Sequence, residues 1–435
     1  MSGNNITSVK IRMYNTGSVG DCFLLLFQKG NTTSFSMMID CGGIKTSSAA
    51  VTPCVEDIRQ ACNGKLDLLI VTHQHEDHLS GFNLARPVFD KITVNEVWMS
   101  WVENKDDPIA AILKKRYGKK LKELKQATEA AAKELKRHDP QNSEVAGLKK
   151  SFNSRMQGMQ EALAALEFEM GASHGAGLAA GRQTNDDAMN YVKGKGKKLN
   201  YRLPGEVLKN IPGAEGMKFY VLGPPRDEDL KYLKIEMDEN EMYKLAAAGL
   251  LPAVADDTDR LLQSGVILQK SVSPFGAEYA LKGKDKGAFL KAYNSKDNKW
   301  RQIETDWLDA GTEVALALTK LTNNTSLALA IEFEGSGKVI LLPADAQSGN
   351  WISWHRPEVM SSLKAKGGKD TDELLANTVF YKVGHHLSHN GTASKSGLDK
   401  MTRDGLVAFA PLVQDKVPAA WGGAANFPAK GLYKV

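Results

Sequence analysis

Two hydrophobic periods run along this chain, and the change from one to the other marks its organisation. Alternation over 9–14 (VKIRMY), then the apolar runs DCFLLLF (21–27) and SMMID (36–40), predict three short strands joined by turns, an antiparallel start with the first strand at an edge. Val51 to Cys62 reads as a helix, and Leu66 to Val71, broken only by Asp67, as a buried strand. Ile92 to Trp101 is a further strand. Beyond it the apolar positions fall at steps of three and four, from Ile109, Leu113 and Tyr117 to Leu135, and again from Val145, Leu148 and Phe152 to Met170. The turn residues 138–143 separate these two amphipathic helices, which predicts an antiparallel hairpin over 108–170. Gly171 to Gly181 is a flexible joint, Asp186 to Lys193 is helical, and Met217 to Leu222 is a strand stopped by Gly223-Pro224-Pro225. Arg226 to Leu251 predicts one or two charged helices, and 252–310 a polar excursion. Strand signals return at Ser326–Phe333, Lys338–Leu342, Thr378–Val383 and Leu406–Ala410. The expected plan is one α/β domain in two halves, 1–103 and 311–435, with 104–310 inserted.

Composition narrows the setting. The chain has 435 residues, 42% of them hydrophobic, enough for a large core. It has no apolar run long enough to cross a membrane and no apolar leader at MSGNNITSVK, so neither a membrane span nor a secretory signal is expected. Cys22, Cys41, Cys54 and Cys62 show neither zinc-ribbon nor disulfide spacing; Cys22 and Cys41 lie in strand-like runs as small core residues, and a reducing cytoplasm is the simplest setting. The net charge of +5 matters only where it is concentrated: Lys114 to Lys150 holds twelve Lys/Arg against five Asp/Glu. A basic helical arm can follow a phosphate backbone, and Lys115, Lys119 and Lys122 are its candidate nucleic-acid contacts; a solvated helix face is the plain alternative.

Metal-binding chemistry is concentrated at three strand ends. His73, His75, Asp77 and His78 form His-x-His-x-Asp-His directly after the buried strand, and imidazole with carboxylate suits zinc, manganese or iron. His73 and His75 can clasp one ion, while Asp77 and His78, opening a helix, can face a second. Asp345 ends another strand and is the natural bridge, since one carboxylate can offer an oxygen to each ion. His385 is expected to complete the second site, with His386 and His389 facing substrate as proton donors and Asp77 also orienting the attacking hydroxide. The expected cofactor is therefore two divalent ions, zinc first and manganese second.

The His-x-His-x-Asp-His motif resembles the signature of the metallo-β-lactamase fold superfamily. NNTSLAL, VILLPADA and FYKVGHHLSHNGT are similar to the ComEC-type branch, the hydrolase domain of the competence DNA-uptake channel and its soluble relatives. The resemblance covers both ends of the chain and not 103–310. It implies an αββα sandwich of two mixed sheets with helices outside, the hairpin projecting from one edge. It implies outer positions for Asp40, behind the histidine loop, and for Asn323, Ser326 and Ser388. It also implies a third histidine for the first ion, for which this chain offers His138 and His174. Ala344 and Leu387 stand where the branch has glycine. The function so implied is a metal-dependent phosphodiesterase, foremost a nuclease. The alternatives are a hydrolase of a cyclic nucleotide, thioester or lactone, or a regulatory subunit that docks a protein through the hairpin 108–170.

Overall fold

The structure, a computed structural model, describes residues 5–119, 184–227, 230–235, 238, 295, 321–417, 428, 429 and 432. The chain divides into two compact units, one of 1–113, 168–251 and 320–435, the other of 114–167 and 252–319. The first is a mixed α/β unit with two six-stranded sheets.

In one sheet, β1 (Ser8–Met13), β2 (Phe23–Lys29), β3 (Thr32–Ile39), β4 (Lys65–Ile70), β5 (Thr93–Ser100) and β6 (Gly196–Arg202) lie side by side in that order. The first three are antiparallel, as short turns require, and β3 to β6 are parallel. In the other sheet β7 (Val207–Leu208), β8 (Met217–Val221), β9 (Leu329–Phe333), β10 (Val339–Leu342), β11 (Thr378–Lys382) and β12 (Val407–Phe409) are again neighbours in chain order. Here β7 to β10 are antiparallel and β10 to β12 parallel.

The period of two explains the burial. Phe23, Leu25 and Phe27 of β2 join Leu329 and Ile331 of β9 in one apolar layer between the sheets. Leu24 and Leu26 point the other way, into a cluster shared with α1 (Ser48–Ala61), α2 (Glu76–Leu84), α3 (Arg86–Phe89) and α4 (Asn185–Lys195). Ala328 and Ala330 likewise leave the shared layer for one holding Trp351, Trp354, Leu363 and Leu374, contributed by α5 (Ser348–Ser353), α6 (Pro357–Ala365), α7 (Thr371–Ala376) and the residues after α5. Two helix starts carry complete capping boxes, Thr184 with Asp187 and Asp370 with Glu373.

The expected plan changes at its boundaries, and some elements had no signal in sequence. The boundaries 104 and 310 do not enclose an insertion alone: α4, β6, β7 and β8 fall between them and extend both sheets. Residues 193–198 (KGKGKK) carry no strand signal yet lead into β6, an edge strand with Lys197 and Lys198 exposed while Leu199 and Tyr201 pack on the core. Edge strands need only half of an apolar pattern, so they are weak in sequence. The short helices α5 to α7 also lacked a periodic signal. Residues 108–119 are helical, and Leu113 is buried with Trp101, Val102 and Leu233; the rest of the expected hairpin, with Lys122, His138 and His174, lies outside the described residues. Among the described residues all four cysteines are free, and no helix is long and apolar enough to cross a membrane.

Candidate metal centre

Parallel strands end at the same edge of their sheet, and that edge gathers the polar residues. Asp40 follows β3, residues 72–78 follow β4, 343–345 follow β10 and 383–389 follow β11. Residues 323–326 precede β9, whose direction is reversed, and so reach the same rim. A backbone bond from Leu327 N to Thr72 O, 3.0 Å long, ties the rims of the two sheets together.

The first turn of α2 is held almost entirely through backbone. Asp21 N donates to Asp77 O (2.9 Å), Cys41 N to His78 O (2.9 Å) and Gly81 N to Cys41 O (2.8 Å). Such close approach demands glycine: a Cβ at Gly42 would lie 2.3 Å from the Asp77 carbonyl carbon, and one at Gly20 2.4 Å from Gly42 O.

Behind the turn lies Asp40. Its carboxylate accepts from Thr72 N (2.8 Å) and Thr72 Oγ1 (2.7 Å) and lies 2.8 Å from His78 Nδ1. Burial raises the Asp40 pKa, against the pull of His78. A proton shared on Nδ1 leaves His78 Nε2 to face the cavity, the tautomer a metal ligand needs. His386 is anchored in the same way, with Nδ1 3.0 Å from Pro411 O.

The two inward imidazole edges meet two carboxylate oxygens. His78 Nε2 lies 3.1 Å from Asp345 Oδ2 and 3.8 Å from Asp77 Oδ2; His386 Nε2 lies 2.9 Å from Asp77 Oδ2 and 3.3 Å from Asp345 Oδ2. Zinc bonds of about 2.0–2.1 Å in a tetrahedron put neighbouring donors roughly 3.3–3.4 Å apart, inside this spread. His75 Nε2, His78 Nε2 and Asp345 Oδ2 are buried and have no hydrogen bond of good geometry, although the last two are in ion-pair range. Two of the four converging atoms, His78 Nε2 and Asp345 Oδ2, are thus without a hydrogen bond, which fits a divalent ion between them. Asp21 also comes within 4.8 Å of His78, Asp345 and His386. It approaches their Nδ1 sides, at 3.9 Å from His78 and 3.5 Å from His386. Those nitrogens already have partners, so Asp21 belongs behind the donors and Asp77 among them.

The electrostatics agree. Burial opposes charge on His78 and His386, yet the surrounding carboxylates, Asp345 first, raise His78 well above the ordinary imidazole range and His386 to about 10. Burial likewise resists ionisation of Asp77 and Asp345, and the neighbouring imidazoles overcome it and lower both. The protons on the two rings supply the positive charge that a divalent ion would replace. His73 and His75 are a different pair. Burial lowers His73 well below its ordinary range and His75 to about 4, which keeps both neutral. His73 Nε2 lies 3.1 Å from His75 Nδ1, while His73 Nδ1 is 3.3 Å from Ser326 Oγ, which accepts from Asp345 N at 3.3 Å. Ser326 thus links the histidine pair to the carboxylate strand. The His78 ring packs against His73 with centroids 4.2 Å apart, closer than the 4.7 Å between His73 and His75.

Two placements differ from expectation. His385, expected as a ligand, is half-buried, with Nε2 3.3 Å from Asn323 Nδ2 and Nδ1 2.7 Å from Ser388 Oγ. His386, expected to face substrate, is buried with both nitrogens engaged and sits among the donors. His389 is exposed. Neighbouring side chains point apart, and the local backbone decides which points inward: His385, His386 and Leu387 all have positive φ, at 45°, 49° and 63°. Ala344 (φ 54°) does too, and its carbonyl accepts from Lys382 Nζ (2.9 Å) and His385 N (3.1 Å). Both places where glycine was expected therefore have left-handed backbone. Ala344→Gly is expected to raise unfolding stability by about 1 kcal/mol, relieving a conformation that costs a non-glycine residue roughly 1–2 kcal/mol; chemical denaturation measures it, and a loss of stability would count against this backbone geometry.

Lys382 and Asp21 had no signal of their own. Lys382 reads as one polar residue of the strand FYKV, and Asp21 as the start of DCFLLLF. Only a buried lysine next to a predicted ligand strand would have marked them, and burial is not visible in sequence.

No protein family matches the chain, and neither does any curated protein or solved structure.

Proposed function

We propose that this chain is a metal-dependent hydrolase of the metallo-β-lactamase fold superfamily and that it cleaves phosphodiester bonds. The observation that carries the reading is the convergence of His78 Nε2, His386 Nε2, Asp77 Oδ2 and Asp345 Oδ2 at one rim of two sheets. The layers of helix, sheet, sheet and helix support the αββα sandwich. Those four atoms would hold the ion, and nitrogen with carboxylate oxygen favours zinc, with manganese second. A divalent ion at such a site supplies Lewis acidity and neutralises charge that develops on phosphorus.

The chain's own groups do the rest. Asp77, fixed in the first turn of α2, holds its oxygen toward the reacting centre. Asp40 keeps the His78 ring in register. His385, held by Asn323 and Ser388 at the half-buried side of the loop, presents an imidazole to a leaving oxygen, the part first expected of His386; His389, exposed nearby in sequence, is the second candidate. Lys115 and Lys119 are exposed on the segment 108–119. With Lys122 they are proposed contacts to a nucleic-acid backbone, which position without reading sequence.

The test is hydrolysis of DNA, RNA and bis(p-nitrophenyl) phosphate with zinc, with manganese and after chelation. Metal-dependent cleavage of all three is expected, with Asp77→Ala inactive and folded. Replacing Lys115, Lys119 and Lys122 by Glu should weaken nucleic-acid cleavage, increasingly so with added salt, and spare the small diester. Turnover of thioesters or lactones alone would move the assignment to a small-molecule hydrolase. Metal binding without turnover of any of these substrates would favour a regulatory protein.

A further inference from the structure

Lys382 carries a charge at this centre that the proposed chemistry does not use. It lies near the end of β11, inside the protein, and all three ammonium donors are occupied: Asp21 Oδ2 at 2.6 Å, Ala344 O at 2.9 Å and Asp345 Oδ1 at 3.2 Å. A buried ammonium held by two buried carboxylates does not exchange with solvent as a surface lysine does. Its position has a consequence for Asp345. A carboxylate that bridges two ions through both of its oxygens gives one to each, and here Oδ1 is taken by Lys382 while Oδ2 faces the imidazoles. The carboxylate is engaged on one side by the chain's own cation. Asp21, the other carboxylate beside the donors, is turned to the same ammonium. Among the described residues, the group of His and Asp whose ligand atoms all lie within 4.8 Å of one another is Asp21, His78, Asp345 and His386, without His73 or His75.

Resting on the metal reading above, we infer that Lys382 is a built-in cation that takes the place of a second metal charge, so that the centre binds one divalent ion tightly, at Asp77, His78, His386 and Asp345. Lys382 is a positioning residue: it touches no reacting atom and acts through Asp345. It sets how many ions the carboxylates demand and which Asp345 oxygen they receive.

The experiment is zinc stoichiometry on the full chain, by elemental analysis and by titration of the chelator-stripped protein, with thermal unfolding followed alongside. The native chain is expected to hold one tight equivalent, any second binding about a hundredfold more weakly. Lys382→Met exposes Asp21 and Asp345 to each other without a cation. It should either take up a second equivalent or bind the first about tenfold more tightly, because a positive charge a few ångströms from the ion is gone. Its unfolding temperature should also rise more on zinc addition than the native chain's. Two native equivalents of similar affinity would overturn the inference while leaving the metal centre standing, and this measurement needs no variant. A folded Lys382→Met chain with unchanged stoichiometry and affinity would overturn it as well. Binding of no ion at all would sink both the inference and the metal reading beneath it. Absence of phosphodiesterase activity would bear on the proposed substrate alone.

Discussion

Alanine at His386 is expected to empty the centre, and alanine at His385 is expected to leave the ion in place. The His386 ring supplies one of four converging donors and is fixed from behind by Pro411 O. Loss of an outer partner alone typically costs ten- to a hundredfold in metal affinity, so loss of a donor should cost about a hundredfold or more. Turnover should fall with occupancy. His385 makes its contacts to Asn323, Ser388 and Asn390, outside the four donors. His385→Ala should therefore retain its ion, and its kcat should drop by about a hundredfold or more if the ring moves a proton. Elemental analysis beside steady-state kinetics separates the two variants. Full metal content in His386→Ala, with loss in His385→Ala, would restore the ligand assignment read from sequence.

Gly42→Ala should have the largest effect of any single methyl group added near the centre. The new Cβ would sit 2.3 Å from the Asp77 carbonyl carbon, 2.4 Å from His78 N and 2.5 Å from Asp77 O. These are backbone atoms of the first turn of α2, and they cannot swing aside as a side chain can. The turn carries both Asp77 and His78, so relief of the clash moves two donors at once. Overpacking of this kind costs about 1–3 kcal/mol, occasionally more. A displacement near 1 Å can cost about a hundredfold in rate. Gly194→Ala is the control: it lies in α4 with nothing within 4 Å of the added atom, and an exposed helical glycine gains up to about 1 kcal/mol on becoming alanine. Denaturation curves and metal content of the two chains decide it. A Gly42→Ala protein with native stability and a full complement of ion would show that the turn is not packed as described.

Chemistry that is local in the chain could be read from the chain. His73, His75, Asp77 and His78 fall within six residues because a strand end and a helix start lie next to each other, and such spacing survives any fold that buries the strand. Asp345 and Asp40 could be read because each closes an apolar run. Strands buried on both faces, such as β2 and β4, announced themselves by near-continuous apolar runs, for the same reason that they are buried. The edge strand β6 did not, because two of its seven residues are exposed lysines and none is fully buried. The rest needed contacts between distant segments. Asp21 and Lys382 are separated by more than three hundred residues and meet because β2 and β11 belong to different sheets whose rims are joined. The choice between His385 and His386 depended on left-handed backbone at both, a conformation set by the loop's packing against Gly391, where a Cβ on Gly384 would lie 2.0 Å from the Gly391 carbonyl oxygen. Residue type and spacing therefore determined that a metal centre was expected and which strand ends would build it. Tertiary structure decided which imidazole faces inward and which carboxylate oxygen is left to bind, because those are questions of side-chain direction and burial, set by neighbours far away in the chain.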